Sequence, residues 1–286
     1  MRDILVAVIR IGGPLSLIAV MFALGLRLTP GQQLAFFKER PLMMLRSLLV
    51  VLVLVPIAAL TVILLLEPSP AVVVGLAILA ASPAAPFQLL NIYKKGGSLV
   101  YLGTLHLSLA LLALVTVPAV LYLLSQALGF QAEVSVVQVA WTVGQTILLP
   151  VGLGILFRSF FPRPADKIGP PFGRVAEIAL YLMVIPILLS NYALLLMMDL
   201  WSYFVMAIFI VVNLALGHVL GPPDARERTT LAMESGARNF GLAMTIGALN
   251  FSQERALPVL IPYIILFVVV STIYLKWRSV QAAGGP

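Results

Sequence analysis

The sequence predicts an all-α polytopic membrane protein with about nine transmembrane helices, and three observations lead to that fold class. Hydrophobic residues make up 61% of the 286 residues and charged residues only 10%, whereas a soluble domain carries roughly 25% charged residues. Apolar segments of about 20 residues, the length that crosses a bilayer, recur along the chain. Most charged residues fall in the short connections between them. The lipid bilayer is therefore the expected environment.

Each apolar segment is interpreted as one span. The N-terminal segment resembles the hydrophobic region of a signal peptide, but it is too long for one and lacks a small-residue cleavage site, so we interpret it as a retained helix. The longest connection, "RSFFPRPADKIGPPFGR", is basic and proline-rich, and we expect it to link two halves of the protein. The nine segments cover about residues 4–26, 42–66, 71–92, 98–128, 134–158, 175–197, 201–221, 229–250 and 256–277.

The basic residues predict the orientation of the chain. With the N-terminus outside, only Arg2, Arg10 and Arg255 fall on the outer side, and Arg238 lies inside a span. Basic residues concentrate on the cytoplasmic side of membrane proteins. We therefore expect an outer N-terminus and a cytoplasmic C-terminus, in the plasma (inner) membrane. The basic residues on the inner side are Arg27, Lys38, Arg40, Arg46, Lys94, Lys95, Arg158, Arg163, Lys167, Arg174, Arg226, Arg228, Lys276 and Arg278.

Composition also excludes several classes of function. The chain has no cysteine, which excludes disulfides, thiol catalysis and cysteine-metal sites. Two histidines cannot build a histidine-rich metal site, and no catalytic motif such as Gly-x-Ser-x-Gly is present. The net charge of +7 is explained by the cytoplasmic connections, so we expect no nucleic-acid partner. We do not expect an enzyme or a resident cofactor.

The third segment, "VVVGLAILAASPAAPFQLLNIYKK", carries Pro83 and Pro86 at its middle. Each proline removes a backbone donor and crowds the preceding turn, and in lipid the freed carbonyls need other partners. Two amides follow, Gln88 and Asn91, where leucine would cost less. Two interpretations remain open: a kinked helix, which is common in membranes, or a helix interrupted to expose its backbone at a binding site.

The eighth segment has a matching irregularity, because "ESGARNFG" places Gly236 and other helix-weakening residues at mid-span. Under the predicted topology, the third and eighth segments cross the membrane in opposite directions and hold comparable places in two halves. Paired interrupted helices of this kind indicate the binding site of a transporter. We expect breaks near 83–86 and 235–239 that cross near mid-membrane.

Glu234 and Arg238 are spaced i, i+4 with the acid first, which favours a helical ion pair. One interpretation is that the two charges only neutralise each other, since a buried ion pair is weak evidence of a role. The other is that intramembrane charge marks a functional site. Asn239 adds a donor and an acceptor that the pair does not need, which favours the second interpretation.

His106 lies in the fourth segment beside Thr104. A histidine there could relay protons, since small shifts carry its titration across neutral pH. The alternative is a packed histidine that bridges helices through hydrogen bonds.

Three stretches carry a resemblance to the bile acid:sodium symporter family. "ESGARNFGLAM" resembles that family's E-x-G-x-Q-N crossover, "ASPAAPFQLLNIYKKGGS" is similar to its other crossover, and "MFALGLRLT" resembles its Met-Phe-x-x-Gly-x-x-Leu stretch. The resemblance runs in order from about residue 14 to 278, and the chain looks like a divergent bacterial-type member. It implies an inverted-repeat transporter with two crossing broken helices. It also implies a core bundle (about 42–128 and 201–278) and a panel bundle (about 4–26 and 134–197), with substrate between them.

The resemblance also bears on ion coupling. Glu234 and Asn239 match sodium ligands of the family, so these two residues are the candidates for a weak Na⁺ site. Arg238 stands where the family has an amide, and the first crossover's Ser-Asn pair aligns near Gln88. A guanidinium at a ligand position repels sodium. We therefore expect weak or absent sodium dependence, with proton coupling or facilitated diffusion instead.

The sequence as a whole predicts a secondary transporter of a small organic anion. The candidate substrate- and ion-binding residues are Gln88, Asn91, Thr104, His106, Glu234, Arg238 and Asn239, with helix breaks at Pro83, Pro86 and Gly236. Two alternatives remain, an intramembrane enzyme and a channel-like or uniport carrier.

Overall fold

The regular structure of the described residues is entirely helical. The structure is a computed structural model that describes residues 2–85, 98–132, 135–190, 195–196, 198–250 and 253–283. Helices dominate because the backbone satisfies its own polar groups in a helix, which lipid cannot do for it. The first seven helices are α1 (Arg2–Gly25), α2 (Gln32–Glu39), α3 (Pro41–Leu66), α4 (Pro70–Ala80), α5 (Leu99–Leu128), α6 (Val136–Phe160) and α7 (Pro162–Ser190).

The remaining helices belong to the C-terminal part of the chain. Two of them, Ala225–Gly236 and Phe240–Asn250, share one predicted span and are separated by three non-helical residues. Helices α3 and α6 each contain one π-helical turn, at Val50–Leu54 and Gly144–Leu148. The C-terminal helices are α8 (Leu200–Val219), α9 (Ala225–Gly236), α10 (Phe240–Asn250) and α11 (Gln253–Ala283).

Five helices of the described residues are long and apolar enough to cross a membrane, namely α3, α5, α6, α8 and the Pro258–Ser279 part of α11. Two shorter apolar helices, Gly12–Gly25 and Pro70–Ala80, lie in the first and third predicted segments. The protein is thus an integral membrane protein. The number of nine spans and the inverted repeat stay predictions.

Helix α4 stops in mid-segment. It ends at Ala80, and residues 82–85 are non-helical. The residue before a proline is pushed out of the α region, so Pro83 ends the helix at about the position that the sequence predicts. Ala84 adopts a left-handed backbone with φ of 60°. Pro86, Gln88 and Asn91 lie outside the described residues.

The predicted connection between the fifth and sixth segments is largely helical, and its role as the link between two halves stays a prediction. Helix α6 ends at Phe160 and α7 begins at Pro162, so only Phe161 separates them. Proline is tolerated in a first turn, where the backbone donors have no helical acceptor. Pro170 and Pro171 lie inside α7 on its exposed side, where solvent or headgroups can serve the freed carbonyls. The short helix α2 was also not predicted.

Helix contacts fall into two groups. Helix α1 packs chiefly against α6 and α7, while α8 packs against α9, α11 and α3. Helix α4 packs against α11, α3 and α10. Contacts of α6 with α5 and α10 join the groups.

Two glycines bring α1 and α6 into backbone contact. A Cβ added at Gly25 would lie 2.3 Å from the Val151 carbonyl oxygen, and one added at Gly154 would lie 2.4 Å from the Phe22 carbonyl oxygen. Small residues allow such close approach, and this packing replaces the hydrophobic effect as the force between helices in lipid. Both obstructing atoms belong to the backbone, so they cannot turn away.

We expect Gly25→Ala to destabilise the protein by about 1–3 kcal/mol, the usual cost of overpacking. Thermal unfolding of the purified protein in detergent measures this loss of stability. The matched control is Gly152→Ala, two residues before Gly154 on the same helix, where an added Cβ meets no atom within 4 Å. Equal melting temperatures for the two variants would contradict the proposed contact.

Candidate functional site

The breaks of α4 and α9 meet. The backbone N–H of Asn239 donates to the carbonyl oxygen of Ser82 at 2.8 Å. Ser82 and Asn239 are almost fully buried, so no water competes for this bond. Each interruption thereby supplies a partner for a backbone group that the other leaves free.

The C-terminal end of α9 is fully satisfied. A helix leaves its last four carbonyls without intrahelical partners. The Met233 oxygen accepts from the Ala237 N–H at 2.9 Å, and the Gly236 oxygen accepts from the Tyr263 hydroxyl at 2.9 Å. The two carbonyls between them both accept from the guanidinium of Arg238.

Arg238 caps α9 instead of pairing with Glu234. Its Nη2 donates to the carbonyl oxygen of Glu234 at 3.0 Å and to that of Ser235. The predicted i, i+4 ion pair is wrong, because the helix ends at Gly236 and Ala237 is extended with ψ of 127°. Cations are favoured at the C-terminal end of a helix dipole. No ion pair joins the two side chains among the described residues.

Three donors at this break have no acceptor in the described part of the chain. They are Nε and Nη1 of Arg238 and Nδ2 of Asn239. Arg238 is only 2% exposed and Asn239 3%. Buried donors without acceptors are rare in native structures, and each calls for an explanation such as a bound ligand or water.

Asn239 also begins α10. Its Oδ1 accepts from the N–H of Leu242 at 3.1 Å, the geometry of an N-cap. The positive end of the α10 dipole therefore lies at the same break as the Arg238 guanidinium. The arrangement can hold an anion through fixed donors.

Glu234 faces a different helix. Its Oε1 and Oε2 lie 3.4 and 3.5 Å from Nδ1 of His106 on α5. Both side chains are buried, and Nε2 of His106 has no partner within the described ranges. The structure thus brings His106, Glu234, Arg238 and Asn239 to the two breaks. Thr104 is also buried, but its hydroxyl donates to Val100 O of its own helix at 2.7 Å.

Sequence reasoning missed Tyr263 and Ser82. Tyr263, on α11, donates its hydroxyl to the last carbonyl of α9. The sequence signal for it was a hydroxyl inside an apolar segment, because a buried hydroxyl needs a hydrogen-bond partner. Ser82 acts through its backbone carbonyl, which no side-chain pattern reveals.

The sequence matches a known protein family. The sequence profile of the Sodium Bile acid symporter family matches residues 14–218. The chain belongs to the sodium bile acid symporter family. A search among curated proteins found no match. The matched residues end at His218, before Glu234, so the second break is outside the part that identifies the family.

The residues at the break do not fit the sodium ion that the family name implies. A hard cation needs several oxygen ligands. Here the last carbonyls of α9 accept hydrogen bonds, two of them from a guanidinium, and Asn239 Oδ1 accepts from Leu242 N. Arg238 places a fixed positive charge among these oxygens. Among the described residues, no group of three or more histidine or carboxylate side chains could hold a metal ion.

The cap at Asn239 makes a testable prediction. Asn239→Ala removes the acceptor for Leu242 N, and loss of an N-cap costs about 0.5–2 kcal/mol. We expect a lower melting temperature for Asn239→Ala in detergent and little change for Asn239→Ser, which keeps a capping oxygen. If Asn239→Ala and Asn239→Ser had the same melting temperature, Asn239 would not stabilise α10 as a cap.

Proposed function

We propose that this protein is a secondary transporter that moves a small organic anion across the membrane by alternating access. The observation that carries the proposal is the buried guanidinium of Arg238 at the meeting point of two interrupted helices, where its Nε and Nη1 have no acceptor among the described residues. Membership in a family of symporters supports transport as the activity.

The donor set favours a carboxylate. Arginine stays protonated in proteins, so its Nε and Nη1 can each donate a charge-assisted hydrogen bond to a negatively charged oxygen. Asn239 Nδ2 and the N-terminal end of α10 add further donors for negative charge. A carboxylate would give acceptors to groups whose burial otherwise costs about 1–3 kcal/mol each. Because these atoms are enclosed in this structure, the proposed site opens during the transport cycle.

Two bundles are proposed to move against each other. The panel is α1, α6 and α7, and the core is α3, α4, α5 and α8 to α11. The contacts of α1 with α6 and α7 support the first group, and the meeting of the α4 and α9 breaks supports the second. Substrate would reach Arg238 from between the bundles.

Arg238 is proposed to take the place of a coupling sodium. Its charge is present in every state of the cycle, so an anion finds a cation without a metal. Transport would then be facilitated diffusion of the anion or coupling to a proton. The buried contact of His106 with Glu234 is where a coupled proton would reside.

The first experiment identifies the anion and tests the coupling. A screen of carboxylates for those that raise the melting temperature selects the substrate, since a ligand stabilises the state it binds. Uptake into proteoliposomes is then measured in sodium and in choline buffer, with and without a proton gradient. We expect saturable uptake with counterflow and no requirement for sodium. Steep sodium dependence would overturn the coupling proposal, and product formation without uptake would indicate an intramembrane enzyme instead.

Arg238 variants test the role of the guanidinium in that assay. A hydrogen bond to a charged group contributes about 1.5–3 kcal/mol, so Arg238→Gln should weaken the binding of the anion by roughly 10- to 100-fold. Arg238→Lys keeps the charge but loses the fixed directions of the guanidinium N–H groups, so it should retain part of the affinity. In Glu234→Gln we expect the proton dependence to change while Arg238 still binds the anion. Unchanged affinity in Arg238→Gln would show that this residue only caps α9.

The orientation is tested separately. Because the chain has no cysteine, a single introduced cysteine is the only residue in the protein that a maleimide labels. We propose that Lys167 and Arg226 face the cytoplasm and that Ser135 faces outward. Lys167→Cys and Arg226→Cys in intact cells should resist an impermeant maleimide until the membrane is opened, and Ser135→Cys should react at once. The reverse pattern would invert the predicted topology.

A further inference from the structure

A groove between α8 and α11 lies on the outer surface of the two helices. It has a volume of about 350 Å³ and is lined by Val211, Ala215 and Val219 of α8 and by Val270 and Ile273 of α11. That volume is at the lower end of the range of ligand pockets, roughly 300–1,000 Å³. Ile273 and Val219 are more than half exposed, so the groove opens towards lipid. Its shape and lining fit part of an acyl chain.

One end of the groove is polar and aromatic. His218 Nδ1 and the Tyr274 hydroxyl are 2.9 Å apart. The Trp277 ring lies 5.2 Å from the His218 ring and 5.9 Å from the Tyr274 ring. Amphipathic rings of this kind concentrate at the level of the lipid headgroups. The groove therefore runs from an apolar interior to the membrane–water interface.

Basic side chains surround that end. The Arg278 guanidinium lies 5.8 Å from the centre of the Trp277 ring. Arg228 packs against Gly221, just after α8, and donates to the carbonyls of Pro222 and Pro223. Lys276 is exposed next to Trp277. Positive charge thus borders the polar end from both α9 and α11.

Two acids of the α8–α9 connection and of α9 are engaged by other groups. Glu227 pairs with Arg40 at 2.7 Å, and Asp224 accepts from the N–H groups of Arg226 and Glu227 as the N-cap of α9. No carboxylate lies within ion-pair distance of Arg228 or Lys276 in the described part of the chain. A neutral headgroup would leave Arg228 and Lys276 without a counterion among the described residues.

We propose that the groove binds one anionic phospholipid, with an acyl chain between α8 and α11 and the headgroup phosphate among Arg228, Lys276 and Arg278. Basic pockets at the ends of membrane helices recognise anionic headgroups in this way. The lipid would fasten α11, which supplies Tyr263 to the end of α9, to α8. The site is separate from the proposed anion site, so either can fail without the other.

Native mass spectrometry and thermal unfolding of the purified, delipidated protein test the site. The probes are phosphatidylglycerol and phosphatidylcholine with identical chains, and inorganic phosphate. We expect one tightly retained phosphatidylglycerol, bound about tenfold more tightly than phosphatidylcholine because of its charge. Phosphate alone should not raise the melting temperature. Equal retention of the two lipids, or stabilisation by phosphate alone, would overturn the proposal.

Two kinds of variant locate the lipid. Ala215→Phe fills the groove without removing a hydrogen bond and should abolish the retained lipid, whereas Val115→Phe on the exposed side of α5 should not. Arg228→Gln and Lys276→Gln should each reduce the preference for phosphatidylglycerol several-fold, and Lys167→Gln on α7 should leave it intact. If Ala215→Phe kept the lipid, the site would lie elsewhere. If Ala215→Phe instead dissociated an oligomer that shows no lipid preference, the groove would be an interface with a second copy.

Discussion

A helix that stops inside a membrane leaves four carbonyls without partners, and the arrangement of the site depends on that constraint. At the end of α9, the backbone of Ala237, the side chain of Arg238 and the hydroxyl of Tyr263 together serve all four. At the end of α4, the Ser82 carbonyl is served by Asn239 from the other break. Neither interruption is self-sufficient. The contact between the two breaks therefore completes the backbone hydrogen bonding, and the proposed binding site is built on it.

Arg238 connects the structural requirement with the proposed function. One edge of its guanidinium is engaged by the α9 carbonyls, which fixes the plane of the group. The remaining N–H groups, on Nε and Nη1, are then held in fixed directions and lack acceptors in the described structure. A donor held rigid before the ligand arrives loses less entropy on binding. The same contacts that close α9 would thus prepare the arginine for a carboxylate.

The sequence predicted what depends on local physics. Hydropathy located the long helices, and Pro83 located the end of α4, because a proline acts on its own neighbours. The ion pair of Glu234 with Arg238 failed because the i, i+4 rule holds only on a continuous helix, and α9 ends between the two residues. The contact of Glu234 with His106 joins residues 128 positions apart. No local pattern contains it, and only the packing of α9 on α5 creates it.

A permanent cation at the site has a consequence for the direction of transport. Arg238 would be charged both with and without bound anion. A monovalent anion that crosses alone therefore moves one net negative charge across the membrane. A membrane potential acts on that charge with about 2.3 kcal/mol per 100 mV. With the cell interior negative, this energy favours export of a monovalent anion over its uptake. A proton carried at His106 and Glu234 would cancel the added charge and remove the bias. For the proposed transport of a monovalent anion, voltage dependence therefore distinguishes a uniport cycle from a cycle coupled to one proton.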